Sequence, residues 1–198
     1  MDSPSLAELR RAVRHGDVPA AQVVLEAEPA LARARGFDGG SLLLEARERE
    51  DAALVELFLT VRGRTGGEDL DVHEAAALGR PGALRRALTD DPLSAEEVGP
   101  AGFLPLHRAA FAGDPDGVML LLETGADANA RSENGARLTP LHSAVAGAAR
   151  RADGAGALPV VEVLLAGGAD RSATMSGEWT PTRAAERDGL DVLANRLA

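Results

Sequence analysis

Residues 104–110 read LPLHRAA and residues 139–145 read TPLHSAV, so one short motif occurs twice, 35 residues apart. An apolar run follows each copy and ends in the tripeptide Gly-Ala-Asp, at residues 125–127 and 168–170. Self-similarity at a fixed period of about 20–50 residues is typical of repeat proteins. Because one such unit cannot bury its apolar face alone, the period predicts an array of stacked units.

Each unit is predicted to form two short helices. Pro105 suits a first helical turn, where its missing N–H leaves nothing unpaired. Gly113 is placed to end the first helix as a left-handed cap. Val118 and Leu121 lie at helical spacing on one face of the second helix, which Gly125 would end.

The same landmarks recur along the chain. They are His73, His107, His142, Pro105, Pro140, Pro181, Gly113, Gly125 and Gly168. Toward both ends the pattern weakens, and Arg183 stands where a histidine is expected. Polar substitutions in the outermost units are typical of capping repeats, which need a polar outer face.

The motif at residues 139–144, Thr-Pro-Leu-His-Ser-Ala, resembles the signature of the ankyrin repeat. The resemblance implies an all-α ankyrin-repeat solenoid of about six stacked helix–turn–helix units with projecting β-hairpin-like loops. It also implies that the loops and first helices form a concave surface for a partner. A single domain is expected over residues 1–198, with degenerate first and last repeats. The expected repeats cover approximately residues 5–36, 37–66, 67–100, 101–135, 136–175 and 176–198.

Composition narrows the function classes. The chain has no cysteine, which excludes disulfides, thiolate chemistry and cysteine-based zinc sites. All 21 basic residues are arginine, and the scarcity of Lys, Tyr and Asn indicates a bacterial genome of high GC content. The net charge of −10 argues against nucleic-acid binding, which needs a basic surface.

The sequence shows neither a signal peptide nor a membrane-spanning segment. Residues 1–5 lack the positive segment and apolar core of a signal peptide, and runs such as residues 118–122 are too short to cross a bilayer. We therefore expect a cytoplasmic, monomeric protein that binds neither membrane nor cofactor.

The regularly spaced histidines could suggest a metal site. Each lies on a different predicted repeat, and packed helices are about 8–10 Å apart, which is too far for His73, His107 and His142 to share one ion. The resemblance implies instead that these histidines are structural and tie neighbouring loops together. We therefore predict no metal site, and we expect His107 and His142 to be buried and hydrogen-bonded.

Catalytic constellations are not visible. The chain has no HExxH motif and no Ser-His-Asp pattern beyond chance, and the glycine-rich turn at residues 37–41 lacks the lysine of a phosphate-binding loop. We therefore predict no catalytic residues.

Candidate partner-binding residues come from the positions that should face outward. Leu78 and Phe111 precede helix-ending glycines, and aromatic anchors in a groove are a usual source of affinity. Two further positions, Glu48 and Arg49, form either a solvated helix face or a charged recognition surface. Three residues precede the motif starts, where packing on neighbouring loops and partner binding are both open: Phe103, Leu138 and Trp179.

The predicted fifth repeat is longer than the others, which places an insertion at residues 147–159. Its small residues predict an exposed loop or helix extension outside the core. The favoured function is a non-catalytic protein-interaction scaffold. An accessory, inhibitor or immunity-type protein that occludes a partner enzyme is an alternative, and a small-molecule or enzymatic pocket beside residues 147–159 is a more remote one.

Overall fold

The structure is a computed structural model that describes residues 4–37, 39–65 and 69–198. It divides into two compact units, Met1–Leu70 and Asp71–Ala198. The predicted boundary between the second and third repeats, at residues 66 and 67, lies outside the described residues.

The fold is all-α, as predicted, and the described residues contain no β-strand. In chain order the α-helices are α1 (Pro4–His15), α2 (Val18–Ala27), α3 (Leu42–Glu48), α4 (Ala52–Arg64), α5 (Val72–Ala77), α6 (Pro81–Asp90), α7 (Pro105–Ala112), α8 (Pro115–Glu123), α9 (Pro140–Arg151), α10 (Leu158–Ala166), α11 (Pro181–Arg187) and α12 (Asp191–Leu197).

Helices come in consecutive pairs because the sequence marks their ends. Pro105, Pro140 and Pro181 are the first residues of α7, α9 and α11, where a proline costs no hydrogen bond. Gly113 ends α7 in the left-handed conformation, with φ of 78°. Asp114 then caps α8 by accepting a hydrogen bond from the Gly117 N–H, so two residues are enough to connect the helices.

The second helices end in the same way. Gly125 and Gly168 follow α8 and α10 with φ of 106° and 87°, a region that residues with a Cβ rarely adopt. The chain leaves each second helix there and enters a polar loop that leads to the next pair.

In the second unit the first helices pack in one row and the second helices in another. Helix α7 contacts α5 and α9, and α9 contacts α11, whereas α8 contacts α6 and α10. Between the rows lies a core of leucine, valine and alanine side chains such as Leu106, Leu121, Leu141 and Leu164, all essentially inaccessible to solvent. Burying such side chains is the main stabilising term, at roughly 1.5–3 kcal/mol each.

The first unit has the same pairing, with α1 against α2 and α3 and with α4 against α2 and α3. Its least expected core residue is Arg62 of α4, whose side chain is only 2% exposed. The Arg62 Nε donates to the carbonyl oxygen of Ala32 at 2.8 Å, which ties α4 to the short 3₁₀ turn Pro29–Arg33. A buried guanidinium is tolerated when its donors are used in this way.

The insertion at residues 147–159 extends α9 and then forms an exposed turn, as expected, since residues 150–153, 155 and 156 are exposed. Its two ends differ from the expectation because they are buried. Helix α9 continues to Arg151, and Gly147, Ala148 and Ala157 are buried. At the end of the extension, the Arg151 Nη1 donates to the carbonyl oxygen of Phe111 at 2.6 Å. Small residues let the extra turn pack on α7, and Arg151 then satisfies a carbonyl at the α7 C-terminus.

Gly147 marks the closest approach of α9 to α7. A Cβ built at Gly147 would lie 2.1 Å from the carbonyl oxygen of Phe111, which is backbone and cannot swing away. The two helices could not pack as they do with any other residue there.

We therefore expect Gly147→Ala to destabilise the fold, although alanine is favoured over glycine inside a helix by about 1 kcal/mol. The loss should exceed about 1 kcal/mol because overpacking forces the helices apart. Urea denaturation followed by circular dichroism measures it. The matched control is Gly82→Ala in α6, where a Cβ would meet nothing within 4 Å, so stability should stay equal or rise. A stable Gly147→Ala variant would contradict the packing described here.

Candidate protein-binding surface

Two buried histidines fix the loops that carry candidate binding residues. The His107 Nε2 lies 2.9 Å from the carbonyl oxygen of Leu138, and the His142 Nε2 lies 2.9 Å from that of Trp179. A carbonyl oxygen can only accept, so each Nε2 carries the proton and donates it. Each histidine therefore joins its own helix pair to the loop that precedes the next first helix.

On its other side, the His142 ring is held within its own helix turn. Its Nδ1 accepts from the Thr139 backbone N–H at 3.3 Å and lies 2.8 Å from the Thr139 hydroxyl. Both nitrogens of His142 are thus used, which is how a buried imidazole avoids the cost of desolvation. His142 is only 2% exposed and His107 1%.

Burial also keeps both rings neutral. Desolvation lowers the pKa of His107 and of His142 below the ordinary value of 6.5, outweighing the hydrogen bonds to Leu138 and Trp179, which act in the opposite direction. The third histidine of the series, His73, is buried against Gly99, where an added Cβ would lie 2.4 Å from the ring.

The loops are closed by a recurrent backbone hydrogen bond. The N–H of Ser132 donates to the Leu138 carbonyl, and the N–H of Met175 donates to the Trp179 carbonyl, both at 2.9 Å. Each of these carbonyl oxygens therefore accepts one bond from within its loop and one from a histidine. Leu138 and Trp179 cannot shift without breaking both.

Neighbouring loops are also joined directly. The Arg131 Nη1 donates to the Thr174 carbonyl at 2.5 Å and to the Arg137 carbonyl at 3.2 Å. The Ser176 N–H donates to the carbonyl oxygen of Ala136 at 3.0 Å. These bonds make the two loops one rigid support.

Trp179 is the most exposed of the apolar candidates, at 38%. The guanidinium of Arg187, in the last turn of α11, lies 5.4 Å from its ring centroid, within the range of a cation–π contact. Arg187 also makes a two-bond ion pair with Asp188, and those bonds lower the pKa of the Asp188 carboxyl. The result is an exposed indole with one face against a charge-neutral Arg–Asp pair.

The other candidates are less uniform. Phe103, Leu138, Leu78 and Phe111 are all half-buried, so the expectation of an exposed Phe111 is not met. Gly147 of α9 packs against the Phe111 backbone, so α9 covers part of a residue that the sequence analysis expected to face outward.

Position in the fold separates these residues into two rows. Phe103, Leu138 and Trp179 precede α7, α9 and α11, whereas Leu78 and Phe111 lie at the far ends of α5 and α7. Helix α7 has eight residues and is about 12 Å long, so its two ends do not share one small pocket. Glu48 and Arg49 are exposed at the end of α3, in the first unit.

One residue of this region, Arg108, was missed by the sequence analysis. It is 7% exposed, donates from Nη2 to the Pro100 carbonyl at 2.7 Å, and lies 5.9 Å from the Phe103 ring centroid. In the next copy of the motif Ser143 takes this position. An arginine at a motif position that is serine in the next copy was the available signal.

The part of the chain that the structure describes offers little for other kinds of site. Within it, no three His, Cys, Asp or Glu side chains are grouped so that they could hold a metal ion, and no helix has the length and apolarity needed to cross a bilayer. Two shallow cavities, of about 230 and 320 Å³, lie between α1 and α2 and between α6 and α8. Neither is lined by residues 147–159.

In the second unit, paired helices stack in two rows, and histidines bond to the loop that follows. This arrangement is that of a helical repeat protein. The family of ankyrin repeats (many copies) matches residues 106–165, so the chain contains ankyrin repeats. No curated protein matches the chain.

Neutral buried histidines give stability a pH dependence. The unfolded chain protonates His107 and His142 near pH 6.5, whereas the folded protein does so only at lower pH. The free energy of unfolding should therefore fall as pH decreases from 7.5 to 5.5, by at most about 1.4 kcal/mol per pH unit for each histidine. Urea titrations at several pH values measure this slope.

The double variant His107→Gln/His142→Gln provides the comparison. It should be less stable at pH 7.5 and should lose part of the slope between pH 7.5 and 5.5, since glutamine does not titrate. Equal slopes in the two proteins would show that these histidines are not kept neutral by the fold.

The loop ends contain a second measurable feature. Arg137, directly before Leu138, has φ of 51°, a region that costs residues with a Cβ about 1–2 kcal/mol. Arg137→Gly should therefore be more stable than Arg137→Ala by about 0.5–1 kcal/mol, after allowing for the greater freedom of unfolded glycine. Both changes remove the arginine side chain, so thermal or urea unfolding isolates the backbone effect. A more stable alanine variant would rule out this loop conformation.

Proposed function

We propose that the chain is a non-catalytic scaffold that binds a partner protein. Ankyrin repeats are in general protein–protein interaction modules, which supports this proposal. On this view the six helix pairs are six repeats of one array, with the boundaries expected from the sequence. The protein acts as a cytoplasmic monomer that binds neither nucleic acid nor membrane.

Trp179 is the observation on which the proposal rests. Binding hot spots are enriched in tryptophan and arginine, and they gain from being held in place before the partner arrives. The Trp179 backbone accepts two hydrogen bonds, from His142 and Met175, while its ring stays partly exposed beside Arg187. A rigid apolar group costs little conformational entropy when a partner covers it.

The two rows extend this anchor. Leu138 and Phe103 continue the loop row, and the Phe103 ring lies about 6 Å from both the His107 ring and the Arg108 guanidinium. Phe111 and Leu78 supply partly exposed apolar area at the helix ends. Together they give a partner two rows of apolar contacts beside charged side chains, and apolar contacts bordered by charge are usual in a protein interface. Glu48 and Arg49 are proposed as a separate charged contact in the first unit.

The experiment is capture of the partner followed by measurement of its affinity. The tagged chain is used to isolate bound proteins from the source cells, these are identified by mass spectrometry, and the purified partner is titrated calorimetrically. Trp179→Ala should weaken binding by about 2 kcal/mol or more, as at a hot spot. The melting temperature should fall less than for a fully buried aromatic residue, because Trp179 is 38% exposed.

Val192→Ala is the matched control, since Val192 is a 48% exposed apolar residue of the same unit and no part of either row. It should leave affinity unchanged. Equal affinity of wild type and Trp179→Ala would remove Trp179 from the interface, and turnover of a substrate by the purified chain would overturn the non-catalytic assignment.

A further inference from the structure

A group of basic side chains stands out on the first helix of this acidic protein. Arg10, Arg11, Arg14 and His15 lie on the last two turns of α1, and we call them the basic stripe. The spacing of four residues places Arg10 above Arg14 on one side and Arg11 above His15 on the adjacent side. Glu8 is the one acidic residue of α1.

Phe37 borders the stripe on the Arg10 side, and it is 76% exposed. The guanidinium carbons of Arg10 and Arg14 lie 4.5 and 5.4 Å from its ring centroid, so both cations contact the ring. An aromatic ring this exposed gains nothing from the core of the unit, and the two arginines are the groups that hold it.

The loop that carries Phe37 is rigid at its base. Arg10 donates from Nε and Nη2 to the carbonyl oxygen of Arg35, at 3.0 and 2.7 Å. The Gly36 N–H donates to the Gly40 carbonyl at 2.6 Å, which closes the turn. Phe37 is therefore presented on a fixed support, beside Arg10, which the same contacts hold in place.

A second apolar residue borders the stripe on its other side. Val23 of α2 is 68% exposed and lines the cavity of about 230 Å³ between α1 and α2, together with Arg11 and His15. Glu8 and Asp17 also line this cavity and offset its positive charge, so the stripe presents positive charge outward mainly through the exposed Arg14 and Arg11. The stripe thus runs between two exposed apolar side chains.

Two arginines of the stripe have no carboxylate partner among the described residues. Among the described residues, neither Arg11 nor Arg14 forms an ion pair. Basic residues in a last helical turn do favour the helix dipole, which accounts for the placement of Arg14 and His15. That effect does not account for an exposed phenylalanine held against Arg14.

We propose that the basic stripe, with Phe37 and Val23 on its two sides, binds a short acidic segment of a partner protein that also carries apolar side chains. Carboxylates of the segment would pair with Arg11 and Arg14, and its apolar residues would cover Phe37 and Val23. A long polyanion such as nucleic acid is disfavoured because the chain as a whole carries a net charge of −10. A short segment meets only the local positive charge.

Selection from a random peptide library tests the chemistry of this partner. A phage-displayed library of twelve-residue peptides is panned against the full chain after depletion on the Arg11→Glu/Arg14→Glu variant. We expect the selected peptides to be acidic and to contain Leu, Phe or Trp. The strongest peptide is then synthesised with a fluorescent label and titrated by anisotropy.

Variants of the basic stripe and of Phe37 test whether the peptide binds at this surface. Arg14→Glu, Arg14→Gln and Phe37→Ala should each raise the Kd of the peptide, tenfold or more for Arg14→Glu and at least threefold for the other two. The matched controls are Arg86→Glu and Leu93→Ala, which change an exposed arginine of α6 and an 85% exposed leucine and should stay within twofold of wild type. Circular dichroism melts confirm that each variant is folded.

The opposite results would overturn the proposal. These are neutral or basic selected peptides, no selected peptides at all, a Kd that Arg14→Glu and Phe37→Ala leave unchanged, or tighter binding of a labelled twenty-nucleotide single strand than of the acidic peptide. Trp179→Ala should not alter peptide binding, so failure here leaves the Trp179 interface to be judged by its own experiment.

Discussion

The hydrogen bond from a buried histidine to a carbonyl in the following loop is the interaction on which the second unit depends. It crosses from one helix pair to the next, and it gives the Nε2–H of a buried imidazole an acceptor, without which that donor would cost about 1–3 kcal/mol. In the bonds from His107 to Leu138 and from His142 to Trp179, the acceptor carbonyl also closes its own loop. One contact therefore fixes the spacing of helices and the position of the loop residues together.

This arrangement needs helices that approach closely, and the small residues of the motif supply that. Ala109, Ala144 and Ala148 are fully buried, and Gly147 lies against the backbone of Phe111. With few aromatic residues available, the core relies on many short contacts between alanine, valine and leucine. Of the five aromatic side chains, Phe58 is buried in α4 and Phe111 lies on α7. The other three lie in loops, each against an arginine: Phe37, Phe103 and Trp179.

The sequence predicted the helical repeat well because its strongest signals are local. A proline at the first helical position and a glycine in the left-handed conformation act through the backbone of a few residues, and Pro105 and Gly113 show both. The buried ends of the insertion were not predicted. Gly147 is buried because it contacts Phe111 of another helix. The hydrophobic periodicity of the sequence does not show such a contact between helices.

The binding surface was predictable only in part, for the same reason. Trp179 and Phe103 were found from their place before a motif, whereas Arg108, Arg187 and Phe37 matter through side-chain contacts between a helix and a loop. Phe37 was considered only as part of a glycine-rich turn, and its contact with Arg10 and Arg14 joins residues more than 20 positions apart. Side-chain pairing across elements requires the folded geometry.

Arg183 takes the place of the histidine in α11, and its Nη1 reaches back toward the carbonyl oxygen of Glu178 in its own loop, at 3.4 Å. His107 and His142 bond to the loop of the next helix pair, whereas Arg183 bonds within the loop and helix pair to which it belongs. In a linear array, stability is a sum of intrinsic and nearest-neighbour terms, so the pair α11–α12 has one coupling fewer. Local opening should therefore begin there, and its amide protons should exchange with solvent sooner than those of α7 and α9.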